Sequence, residues 1–261
     1  MKFSIITPSF NQGLYIEDTL KSVLVEQSAC QVEHIVMDGG STDDTVNILK
    51  HYANNYSNLF WVSEPDKGQS DAINKGIEHS SGDIIAYINS DDYYLPNSLT
   101  KVQKIFQEYP QVDFVYGDIN MVKANGKTIR HIKSLKTSLW RHLYSFSFPQ
   151  QSCFWRRSLI TKVPPFNTQN CTCMDGEYFA HILTQPITLY RLSESLACFR
   201  LHQDSISGSG RLSCDYQTDK LRIEHDLMPH RKLPRSLHFT TGRLIKQIAI
   251  ALRPPTEMFN L

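Results

Sequence analysis

The segment Gly82-Asp83-Ile84-Ile85-Ala86-Tyr87-Ile88-Asn89-Ser90-Asp91-Asp92 sets an uninterrupted apolar run directly before two adjacent carboxylates. A run that is apolar throughout is typical of a strand that is buried on both faces. Such strands belong to mainly parallel sheets, in which ligands bind beyond the carboxyl ends of the strands. The segment therefore predicts a central strand over 84–88 and a ligand site at the residues that follow it.

Strand and helix patterns alternate on both sides of this segment over the first 120 residues. Helices are predicted where apolar residues recur at helical spacing, as at Ile16, Leu20 and Leu24. Strands are predicted at 3–7, 32–37, 59–62, 84–88 and 114–116, and helices at 15–27, 45–56, 70–79 and 96–109. This alternation predicts an α/β fold: a Rossmann-like, mainly parallel sheet with helices on both faces.

The second half is less regular, and its composition changes near Pro229. A hairpin is predicted over 121–132, with strands at 152–155 and 196–201 and a helix at 176–183. From residue 229 to residue 261 there are six Lys or Arg residues and one acidic residue, Glu257. We therefore predict one domain over 1–228, with halves at 1–120 and 121–228, and a basic, amphipathic, helical C-terminal extension over 229–261.

Two interpretations of this extension remain open. Leu237, Leu244, Ile248 and Leu252 fall near one helical face, with cationic residues close by. This pattern fits an interfacial helix in peripheral contact with an anionic membrane. It fits equally a terminal helix that packs on the domain and turns a basic face to solvent.

Composition and charge exclude several classes of protein. Lys and Arg number 27 against 26 Asp and Glu, a formal charge of +1, so a general nucleic-acid binder is not expected. No apolar run reaches the ~20 residues that cross a bilayer. Six scattered cysteines without a Cys-x-x-Cys pair suggest reduced thiols. We predict a cytoplasmic protein, placed at the inner face of the membrane if the extension binds lipid.

Polar loops follow the first four predicted strands, at one edge of the sheet. Asp91-Asp92 is the most distinctive, because adjacent carboxylates repel unless they share a cation. Mg2+ and Mn2+ both favour such oxygen ligands. The alternative is an N-cap for the helix that begins near Pro96. The four loops are Thr7-Pro8-Ser9-Phe10-Asn11, Asp38-Gly39-Gly40-Ser41-Thr42-Asp43-Asp44, Glu64-Pro65-Asp66-Lys67-Gly68 and Asn89-Ser90-Asp91-Asp92.

These loops and the segments beside them resemble the family 2 glycosyltransferases, which have the GT-A fold. The neighbouring segments are Ser4-Ile5-Ile6 before the first loop, Val36-Met37 before the second and Asp71-Ala72-Ile73-Asn74-Lys75-Gly76 after the third. The resemblance covers residues 2–120 strongly and 150–205 more weakly. It implies that Asp92 binds a divalent metal, that Asp91 lies near the ribose or sugar, and that Asp38 binds the nucleoside. The family often has two aspartates before Gly-Ser-Thr, where this chain has Asp38-Gly39. Further nucleotide-sugar-binding residues are expected at Pro8, Phe10, Asn11, Lys67 and Asp71.

The resemblance also assigns residues on the acceptor side. Met174-Asp175-Gly176-Glu177-Tyr178-Phe179-Ala180 looks like the family's acidic motif at the start of a helix, and Gln151-Ser152-Cys153-Phe154-Trp155-Arg156-Arg157 supports the match. Asp175 is then the expected catalytic base, with Glu177 as the alternative. His202 resembles a late histidine that binds metal or diphosphate; a surface histidine without a ligand is the other interpretation.

The resemblance implies an inverting, metal-dependent glycosyltransferase. It would move a sugar from a nucleotide-sugar donor to a hydroxyl of a glycan or lipid-linked acceptor, in surface polysaccharide biosynthesis. One alternative is a sugar nucleotidyltransferase, which usually needs a Gly-rich basic loop where this chain has Pro8-Ser9-Phe10-Asn11. A non-catalytic nucleotide-binding module is the other. Donor sugar, acceptor, linkage and oligomeric state are not predicted.

Overall fold

A mixed sheet of ten strands forms the centre of the part of the molecule that the structure describes. The structure is a computed structural model, and it describes residues 1–25, 29–145, 147–170, 172–203, 205, 215–228 and 256–261. The strands are β1 Lys2–Ser9, β2 Gln31–Asp38, β3 Leu59–Ser63, β4 Ile84–Tyr87, β5 Tyr93–Tyr94, β6 Phe114–Lys123, β7 Thr128–Ile132, β8 Cys153–Arg156, β9 Thr188–Leu201 and β10 Glu257–Asn260.

The strand order is β10-β9-β6-β8-β4-β1-β2-β3, with β5 paired to β9 and β7 to β6. The four strands β4, β1, β2 and β3 run parallel to one another. Their carboxyl ends therefore meet at one edge of the sheet. Strand β8 runs antiparallel between β4 and β6, while β6 and β9 are parallel. This arrangement brings the residues after β9 close to those after β4.

Helices cover both faces of the sheet. The helices are α1 Ile16–Leu24, α2 Thr45–Asn55, α3 Gln69–His79, α4 Ser98–Glu108, α5 Leu139–Ser145, α6 Met174–Ile182 and α7 Asp215–Leu227. Side chains alternate across the sheet, as expected for β-strands. Phe3 and Ile5 of β1 therefore pack in the core with α1 and α4, whereas Ile6 packs in the opposite core with α3 and α6. On the α3 side, Gly76 allows close approach, since a Cβ there would lie 2.5 Å from Ile6 Cγ2.

The predicted α/β fold class is confirmed, and the hairpin over 121–132 appears as β6 and β7, with Gly126 at a φ of 79° in the turn. Strand β9 is longer than predicted and begins at Thr188. Its first half pairs with β6, which was predicted over 114–116, and with β10, which was not predicted. Strands β5 and β10 and helices α5 and α7 were not predicted.

The predicted boundary after residue 228 stays a prediction, because residues 229–255, including the proposed amphipathic helix, lie outside the described residues. The last residues of the extension nevertheless belong to the sheet. Strand β10 pairs antiparallel with β9, and Glu257 Oε1 lies 3.1 Å from Nε of the fully buried Arg191. In the described ranges, none of the helices has the length and apolar character to cross a membrane.

Candidate active site

A cleft of about 630 Å3 lies at the carboxyl ends of β1, β2, β3 and β4. Ligand-binding pockets commonly have volumes of roughly 300–1,000 Å3, so the cleft can hold a nucleotide-sized ligand. The parallel sheet places it there because ligands bind beyond the carboxyl ends of such strands. Its walls include Pro8, Phe10, Gly39, Pro65, Asp66, Gln69, Asn89, Asp91 and Phe199.

Asp91, on the cleft wall after β4, forms a pair with His202, which is not itself part of the wall. Asp91 Oδ2 lies 3.0 Å from His202 Nε2, although 111 residues separate them in sequence. The His202 ring packs on Tyr15, with 4.5 Å between the ring centroids, and only 4% of its side chain is exposed. The structure thus brings together one carboxylate and one imidazole whose partnership the sequence did not reveal.

This pair has the donor types that fit a divalent cation bound jointly with a diphosphate. Mg2+ typically uses one or two protein carboxylates together with substrate phosphates, and Mn2+ accepts imidazole as well as oxygen. In the described part of the chain, no cluster of three or more His, Cys, Asp or Glu side chains could hold a metal alone. The residues therefore fit a metal that the nucleotide helps to bind, rather than a site closed by the protein.

Asp92, which the sequence assigned to the metal, has a fully buried carboxylate that is absent from the cleft wall. Its Oδ1 accepts a hydrogen bond of 2.8 Å from the main-chain nitrogen of Arg200, and its Oδ2 accepts one of 3.0 Å from Gln151 Nε2. Burial first, and then the charge of Asp91, raise the pKa of Asp92 well above its usual range. The hydrogen bonds show that Asp92 supports the loop, and Asp91 is the carboxylate on the cleft wall; the metal-binding role predicted for Asp92 stays a prediction.

Asp38 is also buried, with 2% of its surface exposed. Its Oδ2 accepts hydrogen bonds of 2.9 Å from Ser41 N and 2.6 Å from Ser63 Oγ, and its Oδ1 accepts one from Ser41 Oγ. These bonds tie the loop after β2 to the end of β3. The nucleoside-binding role predicted for Asp38 stays a prediction, while the hydrogen bonds show that its carboxylate holds the loop in place.

The remaining donor-side residues divide between the cleft and its surroundings. Pro8 and Phe10 line the cleft, and the Phe10 ring is 59% exposed. Asn11 joins two loops, since its Oδ1 accepts a hydrogen bond from Thr42 N. Lys67 and Asp71 lie outside the cleft wall: Lys67 N donates to Asp71 Oδ2, which also lies 3.5 Å from Lys75 Nζ. Their predicted roles in donor binding stay predictions.

Asp66 is a cleft residue that the sequence did not single out. Its carboxylate lies against Gly39, where a side chain would place Cβ only 2.9 Å from Asp66 Oδ2. Its Oδ1 accepts a hydrogen bond of 2.7 Å from Gly68 N. The loop 64–68 was recognised as part of the site, but the local sequence does not distinguish Asp66 from Glu64. The structure does, since Glu64 is exposed and pairs with Lys75.

The two acidic residues of α6 have different surroundings. Glu177 is 7% exposed and accepts hydrogen bonds from Arg222 at both carboxylate oxygens, as well as from Asn167 and Asn170. Burial opposes its ionisation, but these hydrogen bonds prevail and lower the pKa of Glu177. Glu177 therefore anchors α7 and the preceding loop to α6 as a fixed carboxylate.

Asp175 keeps part of its surface accessible, and among the described residues no cationic side chain contacts it. Its Oδ1 accepts a hydrogen bond of 2.8 Å from Gly176 N. Burial prevails over that bond and raises the pKa of Asp175. Its negative charge also contributes, after burial, to the raised pKa of Tyr87 on β4. Asp175 is therefore a partly exposed carboxylate that does not line the cleft wall, and its predicted role as catalytic base stays a prediction.

Comparisons with known proteins agree with this architecture. The sequence profile of Glycosyl transferase family 2 matches residues 4–169. An uncharacterized glycosyltransferase of Mycobacterium tuberculosis (strain CDC 1551 / Oshkosh) is 31% identical over 190 residues, covering 71% of this chain and 71% of that protein. TarS of S. aureus, solved as residues 1–349 with UDP-GlcNAc, has a TM-score of 0.66 at 20% identity and is matched over 90% of this chain and 69% of its own.

A second solved structure has the same fold: a mannosyltransferase of Pyrobaculum calidifontis in complex with GDP-Man and Mn2+. Its TM-score is 0.63 at 15% identity, with 96% of this chain and 74% of that chain covered. The cleft at the ends of four parallel strands and the family match agree on one class of enzyme. The chain belongs to glycosyl transferase family 2 and is a glycosyltransferase of GT-A fold. The predicted family and fold are thereby confirmed.

Proposed function

We propose that the protein is an inverting, metal-dependent glycosyltransferase that moves a sugar from a nucleotide-sugar donor to a hydroxyl of a glycan or lipid-linked acceptor. The observation that carries this proposal is the pairing of His202 with Asp91 on the cleft wall, while Asp175 has no cationic partner among the residues that the structure describes. We infer that Asp91 and His202 act on the donor and that Asp175 acts on the acceptor.

The donor side is supported by the form of the cleft. The end of the cleft at β4 carries Asp91 and Asn89, the end at β3 carries Pro65, and Pro8 and Phe10 follow β1 between them. A diphosphate suits the first end, and a nucleobase suits the second because bases stack on flat apolar surfaces. The related folds were solved with UDP-GlcNAc and with GDP-Man and Mn2+, so a sugar nucleotide is the ligand class that we propose.

Asp91 and His202 are the residues that would hold Mn2+ or Mg2+ together with the diphosphate. Such an ion, when bound, neutralises the charge that develops on a diphosphate leaving group. Neighbouring residues hold Asp91 and His202 in position. Arg200 Nε donates to the main-chain oxygen of Asp91, and the Tyr15 ring packs on His202.

Asp175 is the proposed catalytic base, and Glu177 is not. A base must be able to accept a proton from the acceptor hydroxyl as that oxygen attacks the anomeric carbon. Both Glu177 oxygens accept hydrogen bonds from Arg222, whereas Asp175 has a raised pKa and an accessible surface. Attack from the face opposite the diphosphate inverts the anomeric centre, through a transition state with oxocarbenium character.

A direct test combines the enzyme with a panel of UDP, GDP and TDP sugars and a panel of glycan and lipid-linked acceptors. We expect the release of nucleoside diphosphate to require both the acceptor and Mn2+ or Mg2+. NMR of the product should show an inverted anomeric centre. Retention of configuration, or full activity in EDTA, contradicts the mechanism. Binding without turnover of any donor would support a non-catalytic module instead. The role in surface polysaccharide synthesis is tested by which acceptors are used.

For the basic segment 229–255 both predictions remain: contact with an anionic membrane, or packing on the domain. If it forms an interfacial helix, the full chain should bind anionic vesicles, and more strongly at low salt because charge attraction is less screened. If it packs on the domain, the protein should stay in the supernatant when the vesicles are sedimented, at all salt concentrations.

A further inference from the structure

The space beside the end of β2 is filled by a carboxylate from the loop after β3. A Cβ on Gly39 would lie 2.9 Å from Asp66 Oδ2 and 3.3 Å from its Cγ, so Asp66 can occupy this position only because residue 39 has no side chain. The backbone of Gly39 lies outside the left-handed region, in contrast to Gly40 at a φ of 84°. Glycine is thus needed at position 39 for space rather than for conformation.

The two oxygens of Asp66 have different surroundings. Oδ1 accepts a hydrogen bond from Gly68 N and shapes the loop before α3. Oδ2 points toward Gly39, and in the described part of the chain it receives no hydrogen bond. Asp66 is partly buried while Pro65 and Lys67 on either side are exposed. An acceptor with spare capacity therefore lines the cleft, beside the flat side chains of Phe10 and Pro65.

The position of Asp66 along the cleft suits the base of a nucleotide. Strands lie in the order β4-β1-β2-β3, so three interstrand spacings separate the loop that carries Asp91 from the loop that carries Asp66. At ~4.8 Å per spacing this separation is about 14 Å. A nucleoside diphosphate whose phosphates lie near Asp91 and His202 would extend its base to Asp66.

We propose that Asp66 Oδ2 reads the nucleobase of the donor by accepting a hydrogen bond from a ring N–H. This inference rests on the proposed use of a sugar nucleotide. Uracil, thymine and guanine carry such an N–H on the edge opposite the sugar. Cytosine and adenine present a nitrogen lone pair at the corresponding place, which a carboxylate repels. The donor is therefore a uridine, thymidine or guanosine diphosphate sugar, and Asp66 is a specificity-determining residue.

The test uses calorimetric titration of the full chain with UDP and CDP, and with GDP and ADP, in the presence of Mn2+. We expect the wild type to favour UDP over CDP, or GDP over ADP. Asp66→Asn should weaken binding of the preferred nucleotide by about 10-fold or more, the usual loss for a hydrogen bond to a charged group. Asp66→Asn should also reduce the difference in affinity between UDP and CDP, or between GDP and ADP. Asparagine Oδ1 can still accept from Gly68 N, so the loop is retained.

Two further variants make the result specific. Glu64→Gln removes a charge from the same loop outside the cleft wall and should leave both affinities unchanged. Gly39→Ala keeps the Asp66 charge but forces its carboxylate aside, so it should weaken binding of the preferred nucleotide without unfolding the chain. The role of Asp66 is overturned if the wild type binds UDP as tightly as CDP and GDP as tightly as ADP. It is also overturned if Asp66→Asn leaves the affinity unchanged. Neither outcome contradicts the proposed function. Failure of the wild type to bind any nucleoside diphosphate overturns the proposed function itself.

Discussion

Arg200 holds two consecutive aspartates in different ways: its side-chain Nε donates to the main-chain oxygen of Asp91 at 2.9 Å, and its main-chain nitrogen donates to Asp92 Oδ1 at 2.8 Å. The guanidinium also donates to Ala124 O and to Asp18 Oδ2, both at 2.6 Å. Only 4% of the Arg200 side chain is exposed. Strand β9, the loop after β4 and helix α1 are thereby joined at one buried cation, which fixes the direction of the Asp91 carboxylate.

Replacement of this cation tests whether it positions the metal ligands. Arg200→Lys keeps the charge but loses the planar set of donors, so it cannot satisfy all three acceptors. We expect Mn2+-dependent UDP affinity to fall about tenfold, as for loss of one charge-assisted hydrogen bond. Arg156→Lys is the matched control, since Arg156 donates to Val112 O and Pro110 O away from the cleft. It should lower the melting temperature but leave UDP affinity unchanged; equal affinities in the two variants would contradict the positioning role.

Asp91→Asn and Asp92→Asn should have different consequences. We expect Asp91→Asn to remove the metal-dependent part of UDP binding, because the carboxylate beside His202 is lost, while the melting temperature stays near that of the wild type. Asp92→Asn turns an amide toward one of two buried donors and should lower the free energy of unfolding by about 1–3 kcal/mol. Manganese titrations with UDP, together with urea denaturation, separate the two effects. If Asp92→Asn kept the stability of the wild type but lost the metal dependence of UDP binding, the metal-binding role predicted for Asp92 would be supported.

The acidic residues of α6 form a second contrasting pair. Asp175→Asn removes the proposed base, and loss of general base catalysis typically slows a reaction ~10²–10⁴-fold. Donor affinity should be retained. Glu177→Gln disrupts the buried hydrogen bonds to Arg222, Asn167 and Asn170, so we expect a loss of about 1–3 kcal/mol in unfolding free energy with turnover largely kept. Single-turnover transfer rates and denaturation curves decide the matter; full transfer by Asp175→Asn would exclude Asp175 as the base.

The raised pKa of Asp175 predicts the pH dependence of transfer. Only the ionised carboxylate can accept a proton, so kcat/KM should fall as pH decreases, with its acid limb above pH 3.8, the ordinary value for Asp. UDP affinity measured over the same range serves as the control and should not follow this limb. An acid limb at or below the ordinary aspartate value would argue against a buried base.

The same shift has a consequence for stability. Because the folded state raises the pKa of Asp175, its contribution favours folding below the unfolded value and is lost as pH rises through the folded value. The permanently neutral Asp175→Asn variant should therefore be at least as stable as the wild type at neutral pH. A lower melting temperature in this variant would show that the carboxylate has a structural partner.

Much of the fold and part of the site could be predicted from local patterns. Apolar runs and helical spacing identified β1 to β4 and α1 to α4, because these elements bury residues whose periodicity is visible within one segment. The same patterns placed Asp91, Phe10 and Pro8 at strand ends, where the structure has the cleft. The short strand β5 and the C-terminal β10 were missed, since each pairs with β9, which is distant in sequence.

Local patterns in the sequence were enough to predict that polar loops follow four parallel strands and that two carboxylates follow the fourth, since the periodicity of each strand is visible within one segment. Which of the carboxylates is held by hydrogen bonds and which lines the cleft follows from contacts between segments that are distant in sequence. Asp92 and Glu177 are occupied by hydrogen bonds from Arg200 and Arg222, while Asp91 meets His202 across 111 residues of chain. Availability depends on burial and on partners brought from other strands and helices, and such partners leave no mark on the residues next to them in sequence.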